Sequence, residues 1–246
     1  MGHLKRQNIP KNWPIARKGN TFAVKPLSKK GIPLLIVLRD LLKIAQTREE
    51  VKTAIQKKHL LINNRVVKDE KIGMALFDTL SILPSKIYYR LELSEKGKFE
   101  LNEIKEDESN KKIAKIINKK MIIGKKIQLN LDDGENFLVE PKFSCMTNDS
   151  VVINFKDKKI EKCLPLKEKS KVIIFSGKHS GKTGQIEKII LEKTQNLKAK
   201  TYPKEGHKGD FSINPSESQT KGRKMAIIDS KNEKINVLIQ QILVTE

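Results

Sequence analysis

The eleven residues from Ser176 through Gly177-Lys178-His179-Ser180-Gly181-Lys182-Thr183-Gly184-Gln185 to Ile186 constrain this chain more than any other stretch. Before them stands Lys171-Val172-Ile173-Ile174-Phe175, and after them the β-branched run Ile186-Glu187-Lys188-Ile189-Ile190. Short apolar, β-branched runs on both sides of a glycine-rich stretch read as two strands joined by a turn, the second strand beginning at Ile186. Glycine suits such a turn because it accepts positive φ and lets another backbone approach closely. Gly181-Lys182-Thr183 also has the ending of a phosphate-cradling loop, but that motif needs a glycine where Ser176 stands. It must also open a helix, and Gly184 followed by β-branched residues cannot do so.

Charge sets the class of partner. The chain has 246 residues with 50 Lys+Arg against 29 Asp+Glu, a formal net charge of +21. So much like charge repels itself in a compact fold, and a polyanion such as nucleic acid is the economical partner. Hydrophobic residues, at 37%, suffice for the cores of two or three small units. The two cysteines, Cys145 and Cys163, match no zinc spacing and form no disulfide framework, and the four histidines are scattered. A reducing, cytosolic setting is therefore expected. The longest apolar run, Ile32 to Leu38, is far shorter than the roughly 20 residues of a membrane span. It leads into Arg39-Asp40 and not into a cleavage site, so a soluble intracellular chain is expected.

The charge is unevenly spread. From Met1 to Leu38 there are eight basic residues and no acidic one, together with Pro10, Pro14, Pro26 and Pro33. Residues 1–32 read as a basic arm that cannot bury enough surface to fold alone and orders on a phosphate backbone. Trp13 and Phe22 lie in it, either as anchors packed on the next unit or as stacking platforms for bases.

Residues 33–97 read as a compact unit. Leu34, Val37, Leu38, Leu41 and Ala45 recur at helical spacing, with Pro33 suited to the first helical position and Arg39 and Lys43 on the opposite face. Thr47-Arg48-Glu49-Glu50 is a capping box that opens a second helix, with Val51, Ala54 and Ile55 inward and Lys52 outward. Leu60-Leu61-Ile62, Asn63-Asn64 and Arg65-Val66-Val67-Lys68 form a tight hairpin, because asparagine tolerates left-handed geometry. Two helices running into a hairpin, studded with Lys43, Arg48, Lys52, Lys57, Lys58, Arg65 and Lys68, resemble the RNA-binding domain named after ribosomal protein S-four. Asp78 to Ile82 resembles its closing strand.

Residues 98–168 read as a small all-β middle domain. Its strands fall near Met121, Ile127–Leu131, Phe137–Val139, Val151–Ile153 and Ile160, with Asp132-Asp133-Gly134 as a hairpin turn. Glu103 to Glu108 is a solvated connection, and Asp132-Asp133 lack the partner base that catalysis would need. Residues 169–246 hold the glycine-punctuated segment, which resembles the KOW motif of an SH3-like barrel. An ordinary hairpin with solvated lysines fits the same residues. Lys178, His179 and Lys182 sit on the turn. A polar insertion over 193–224 interrupts the unit, read either as a disordered loop or as an additional RNA contact.

The whole order of parts is an α+β, multidomain chain: basic arm, S-four-type domain with two helices plus a hairpin, β middle and KOW barrel. It resembles the "four-e" small-subunit ribosomal protein family of archaea and eukaryotes, and its arm is closer to the archaeal members. The resemblance rests on His3-Leu4-Lys5-Arg6, Pro10-Lys11 with Trp13-Pro14-Ile15, and Phe22 to Pro26. It rests equally on Ile32 to Ile36 with Leu38-Arg39-Asp40, on Asp78 to Ile82, on Asn148-Asp149-Ser150 and on Gly177 to Gly184. It is thin from about Glu92 to Pro141, and the basic tail of eukaryotic members has no counterpart after Val244-Thr245-Glu246. The resemblance implies a structural, non-catalytic constituent of the cytoplasmic small subunit that holds ribosomal RNA beside neighbouring ribosomal proteins and aids assembly. No cofactor, metal, membrane or small-molecule substrate is implied. The candidate RNA-binding residues are Lys5, Arg6, Lys11, Arg17, Lys18, Lys25, Arg39, Lys43, Lys52, Lys57, Lys58, Arg65, Lys68, Lys178, His179 and Lys182. The alternative is a KOW-containing transcription or RNA-binding factor outside the ribosome. An RNA-modifying enzyme would need a separate catalytic domain, for which the β middle leaves no room.

Overall fold

The computed structural model describes residues 2–28, 31–122, 126–140, 143–192, 223–230 and 233–245. Most of the expected insertion, together with Lys29, Lys30, Ile123 and Gly124, lies outside these residues. The architecture is mixed, with many strands and little helix.

The arm is built onto the first unit. Strand β1 (Leu4–Lys5) pairs antiparallel with β2 (Phe22–Ala23). Ile9 and Trp13 are buried in the same core as Leu34 and Leu80, and the Phe99 N–H donates to the Asn12 carbonyl at 2.8 Å. The arm thus orders against the next unit and not on a phosphate backbone alone: Ile9 and Trp13 find a core within the chain, in line with the reading of Trp13 as a packed anchor. Of the two aromatics, Trp13 is the anchor at 3% exposure, while Phe22 is 55% exposed with the His3 ring 5.2 Å away.

Strand β3 (Ile32–Pro33) leads into α1 (Leu34–Ile36), which passes into a π-helical turn over Val37–Leu41. The expected amphipathic helix to Ala45 is thus shorter and buried on all sides: Leu34, Leu35, Ile36, Val37 and Leu38 are all inside. Pro33 stands at the N-cap, one position earlier than expected. Helix α2 (Arg48–Gln56) follows the sequence closely. The Thr47 hydroxyl accepts from the Glu50 N–H, the Glu50 carboxylate accepts from the Gln46 N–H at 2.8 Å, and Val51 and Ile55 face inward. Strands β4 (Leu60–Ile62) and β5 (Arg65–Val66) are joined by Asn63 and Asn64 at φ 50° and 59°, a two-residue turn with both central residues left-handed.

After β6 (Gly73–Met74), which pairs with β3, strands β7 (Thr79–Ile82), β8 (Ile87–Leu93) and β9 (Phe99–Ile104) complete a sheet ordered β5-β4-β7-β8-β9. The boundary expected at residue 97 falls before β9, which this sheet includes as its edge. The acidic connection forms a short helix, α3 (Glu106–Ser109).

The middle sheet is ordered β12-β11-β10-β13-β14, from β10 (Lys111–Met121), β11 (Ile127–Leu131), β12 (Asn136–Val139), β13 (Ser150–Asn154) and β14 (Lys159–Leu164). The long β10 serves both halves. It pairs with β13 over Lys111–Lys115 and with β11 from Ile116, with a bulge between Ile116 and Asn118. Cys145 and Cys163 are joined by a disulfide, a correction to the reading that they form none. Cys145 lies in the segment leading into β13 and Cys163 on β14, so the fold brings together positions 18 residues apart, which linear spacing does not reveal.

The third sheet, β18-β17-β16-β15-β19, comprises β15 (Lys171–Ile174), β16 (Thr183–Glu192), β17 (Arg223–Ser230), β18 (Glu233–Leu238) and β19 (Ile242–Val244). Strand β16 begins at Thr183, three residues earlier than expected, and β17 takes in Arg223 and Lys224, which the sequence pattern assigns to the insertion. Gly184 lies inside β16, where a Cβ would stand 2.3 Å from the Asp229 carbonyl oxygen. A side chain there would push the two strands apart.

Among the described residues, four apolar clusters hold the structure. Three are the cores of the sheets. The fourth joins Phe77 of the first unit, with Ile113 of the middle packed on it, to Ile173 and Leu243 of the third.

Candidate nucleic-acid interface

The sixteen residues chosen from sequence separate by environment. Lys5, Lys11, Lys18, Lys25, Lys43, Lys57, Lys58, Lys68 and Lys178 are exposed, and none has an ion-pair partner among the described residues. They lie on the arm, on the turn after the first helix, at the end of α2, after β5 and on the glycine turn. Lys43 and Lys58 occupy left-handed backbone at φ 54° and 58°, so each side chain projects from a sharp turn.

All the rest but His179 have local work. Arg6 Nε donates to the Ala16 carbonyl at 2.6 Å and Arg17 to the Ile9 carbonyl at 3.3 Å, so both pin the arm. Arg39 pairs with Asp40 at 2.9 Å, Lys52 with Glu49 at 3.0 Å, Arg65 with Glu135 at 2.9 Å and Lys182 with Glu233 at 2.8 Å. Lys182 lowers the Glu233 carboxyl below its ordinary value, first through a hydrogen bond, with His179 adding a smaller effect. Arg48 Nε donates to the buried Glu70 at 2.6 Å, and that bond raises the Arg48 pKa.

The glycine turn is not a free tip. Gly177 and Gly181 have φ of +94° and +91°, as expected of such a turn. Yet Gly181 lies against the loop after β8: a Cβ on it would be 2.0 Å from the Ser94 carbonyl oxygen. Ser180 and Gly181 are therefore docked on the first unit, and Lys178 is the turn's exposed cation.

Two buried lysines escape sequence reasoning. Lys112 and Lys115 are each 3% exposed. Lys112 lies between Asp78 of the first unit and Asp133 of the middle turn. Burial opposes its charge, the two carboxylates outweigh burial, and its pKa is raised above the ordinary lysine value. Lys115 donates to the Ile239 and Ile242 carbonyls and lies 5.8 Å from the centre of the Phe175 ring. Burial pushes it down to about 8, opposed in part by Asp132. The available signal is strand parity, since Lys112 shares a face with Ala114 and Ile116. Nothing local marks Lys115, whose hydrogen-bond partners are more than 120 residues away. Asp133 thus anchors a cation as well as forming a turn.

These features define a class: a basic, strand-rich scaffold of three interlocked units, with cations spread over its surface in the manner of a polyanion binder. Comparison with known proteins narrows it. The model of "Ribosomal family S4e" matches residues 85–160, and that of the "RS4NT (NUC023) domain" matches residues 2–28. The first match covers the whole region where the motif resemblance is thin. The "Small ribosomal subunit protein eS4" of Methanocella arvoryzae is 35% identical over 216 residues, covering 85% of this chain and 89% of that protein. The protein of the same name from Nanoarchaeum equitans is 37% identical, covering 76% of this chain and 82% of its own length. The crystal structure of the 30S ribosomal protein S4e from Thermoplasma acidophilum has a TM-score of 0.63 at 20% identity, covering 88% of this chain and 95% of that one. This chain belongs to the S4e family of ribosomal proteins.

Proposed function

We propose that this chain is a structural constituent of the small ribosomal subunit, in the cytoplasm, that binds ribosomal RNA and aids subunit assembly without catalysing a reaction. Its family membership carries the reading, and the relatives' names give no support to a transcription factor outside the ribosome. The exposed, unpaired lysines neutralise phosphates and release counterions: Lys5, Lys11, Lys18 and Lys25 on the arm, Lys43, Lys57, Lys58 and Lys68 on the first unit, and Lys178 on the third. Arg6, Arg17, Arg39, Lys52, Arg65 and Lys182 contribute second, because each must loosen a local contact to reach RNA, and half-buried His179 lies on the same turn as Lys178. The S-four-type and KOW-type identities of the first and third units are part of this reading. Support for the latter is the antiparallel β15–β16 pair joined through two left-handed glycines.

A tagged copy sedimented from lysate tests the proposal. Stoichiometric presence in the small-subunit peak, retained through a moderate-salt wash, is the expected outcome. Migration as free protein, or with RNA polymerase, would overturn it.

A further inference from the structure

The middle sheet is open. Among the described residues its edge strands β12 and β14 each pair on one side only, and residues of both line a groove of about 390 Å³. That volume lies within the roughly 300–1,000 Å³ of sites that take small organic groups. Phe137 and Phe143, both half-buried, give it two aromatic rings, and Leu138 and Ile160 add apolar wall. Lys158 and Lys159 stand at its rim, exposed and without an ion-pair partner among the described residues. Lys158 is at φ 51° in the tight turn between β13 and β14, which presents both lysines outward. Glu140 is the one acid lining the groove among the described residues, so the charge there is net positive.

We propose that this groove receives a single unstacked base of an RNA strand, with Phe137 and Phe143 against the base and Lys158 and Lys159 on the flanking phosphates. Aromatic side chains beside cations are how proteins hold unpaired nucleotides, since every base has a face to stack and every linkage carries a charge. The other occupant such edges invite is an added β-strand. Lysines on an edge strand discourage that pairing, and β14 carries Lys159 and Lys162. The groove lies on a different unit from the exposed lysines named above, so the proposal deepens the RNA-binding reading and rests on it.

The test uses the full chain and two RNA hairpins, alike except that one carries a single bulged 5-iodouridine in its stem. Binding is followed by fluorescence anisotropy, and irradiation followed by mass spectrometry maps where the iodouridine attaches. The bulged hairpin is expected to bind more tightly and to crosslink at Phe137 or Phe143. Leu138→Glu, at a position already 63% exposed, and the double change Lys158→Glu with Lys159→Glu are each expected to remove this preference, a loss on the order of tenfold. Both should leave the fully paired hairpin's affinity changed far less. Equal binding of the two hairpins with crosslinks elsewhere would overturn the groove proposal and leave RNA binding intact. Capture of an extended peptide in the groove, with no base crosslinked there, would overturn it in favour of strand addition. Failure to bind either hairpin would overturn the RNA reading itself, and the groove proposal with it.

Discussion

At the scale of single residues, the chain spends buried charge on its joints. Asp78 accepts from the Ala75 N–H at 2.6 Å, from Asn63 Nδ2 at 2.8 Å and from Lys112, so one carboxylate holds a turn, a hairpin and a neighbouring unit. Removing its charge leaves a buried ammonium with only Asp133. Asp78→Asn is therefore expected to cost about 3–5 kcal/mol in urea unfolding. Glu135→Gln, which loosens the exposed Arg65, should cost less than about 1 kcal/mol. Equal costs would remove the junction role of Asp78. Lys115 gives a pH signature. Its folded pKa is near 8 against an ordinary 10.5. Between those values the unfolded chain holds the extra proton, so stability rises with pH across that window. The gain reaches about 3 kcal/mol, because each tenfold loss of proton affinity on folding is worth roughly 1.4 kcal/mol. Lys115→Met keeps the stem and removes the titration. Unfolding midpoints at pH 7.5 and 9.5 should therefore diverge for the native chain and stay together for the variant, apart from changes common to both.

At the scale of elements, the glycine turn separates local strain from docking. Gly181 and Gly134 share nearly the same left-handed φ, +91° and +92°, but only Gly181 faces another backbone; around Gly134 a Cβ would meet nothing within 4 Å. Gly134→Ala is expected to cost about 1 kcal/mol, the penalty for a side chain in that conformation. Gly181→Ala should cost clearly more, because the turn must leave the Ser94 loop. Similar unfolding midpoints for the two variants would show that the docking carries no stability. Elements with a local cause were legible in the sequence: the α2 capping box, the Asn63-Asn64 turn, the Asp132-Asp133-Gly134 turn and the strands around Ile173 and Leu129. The departures have a common origin in distant partners. The stretch from Leu34 to Ala45 has helical spacing, but Leu35 and Ile36 are also buried, so the core around it ends the regular helix at Ile36 and continues as a wider turn. β9 could not be assigned from its own residues, because its sheet is decided by Ile87–Leu93. The candidate site was legible as composition, while its division into free and paired cations was not: Glu135 and Glu233 lie 70 and 51 positions from Arg65 and Lys182.

At the scale of the whole molecule, three joints close a ring: Lys112 and Asp78 between the first and middle units, Lys115 and Ser150 between the middle and third, and Gly97 against Gly181 between the third and first. Ser150 Oγ accepts the Val244 N–H at 2.9 Å, and the apolar cluster around Phe77 fills the junction. Units locked in this way present their lysines at fixed separations, so the proposed RNA binding would gather phosphates distant in sequence without the entropic cost of aligning domains. The electrostatic share of such binding appears in its salt dependence, where each lost phosphate contact lowers the slope of log affinity against log salt by about 0.7–0.9. Lys57→Glu with Lys58→Glu, two exposed cations with no partner to release, should weaken binding to small-subunit RNA and lower that slope by up to about 1.8. Arg65→Glu, whose cation is shared with Glu135, should change the slope by less than one contact's worth. Lys178→Glu should act as one lost contact. Lys182→Glu should lose less slope but more stability, because it sets a second carboxylate beside Glu233. Measured between 50 and 300 mM salt, identical slopes for the Lys57/Lys58 pair and the native chain would remove the end of α2 from the interface. A slope loss for Arg65→Glu equal to theirs would mean that the Arg65–Glu135 bridge opens when RNA binds.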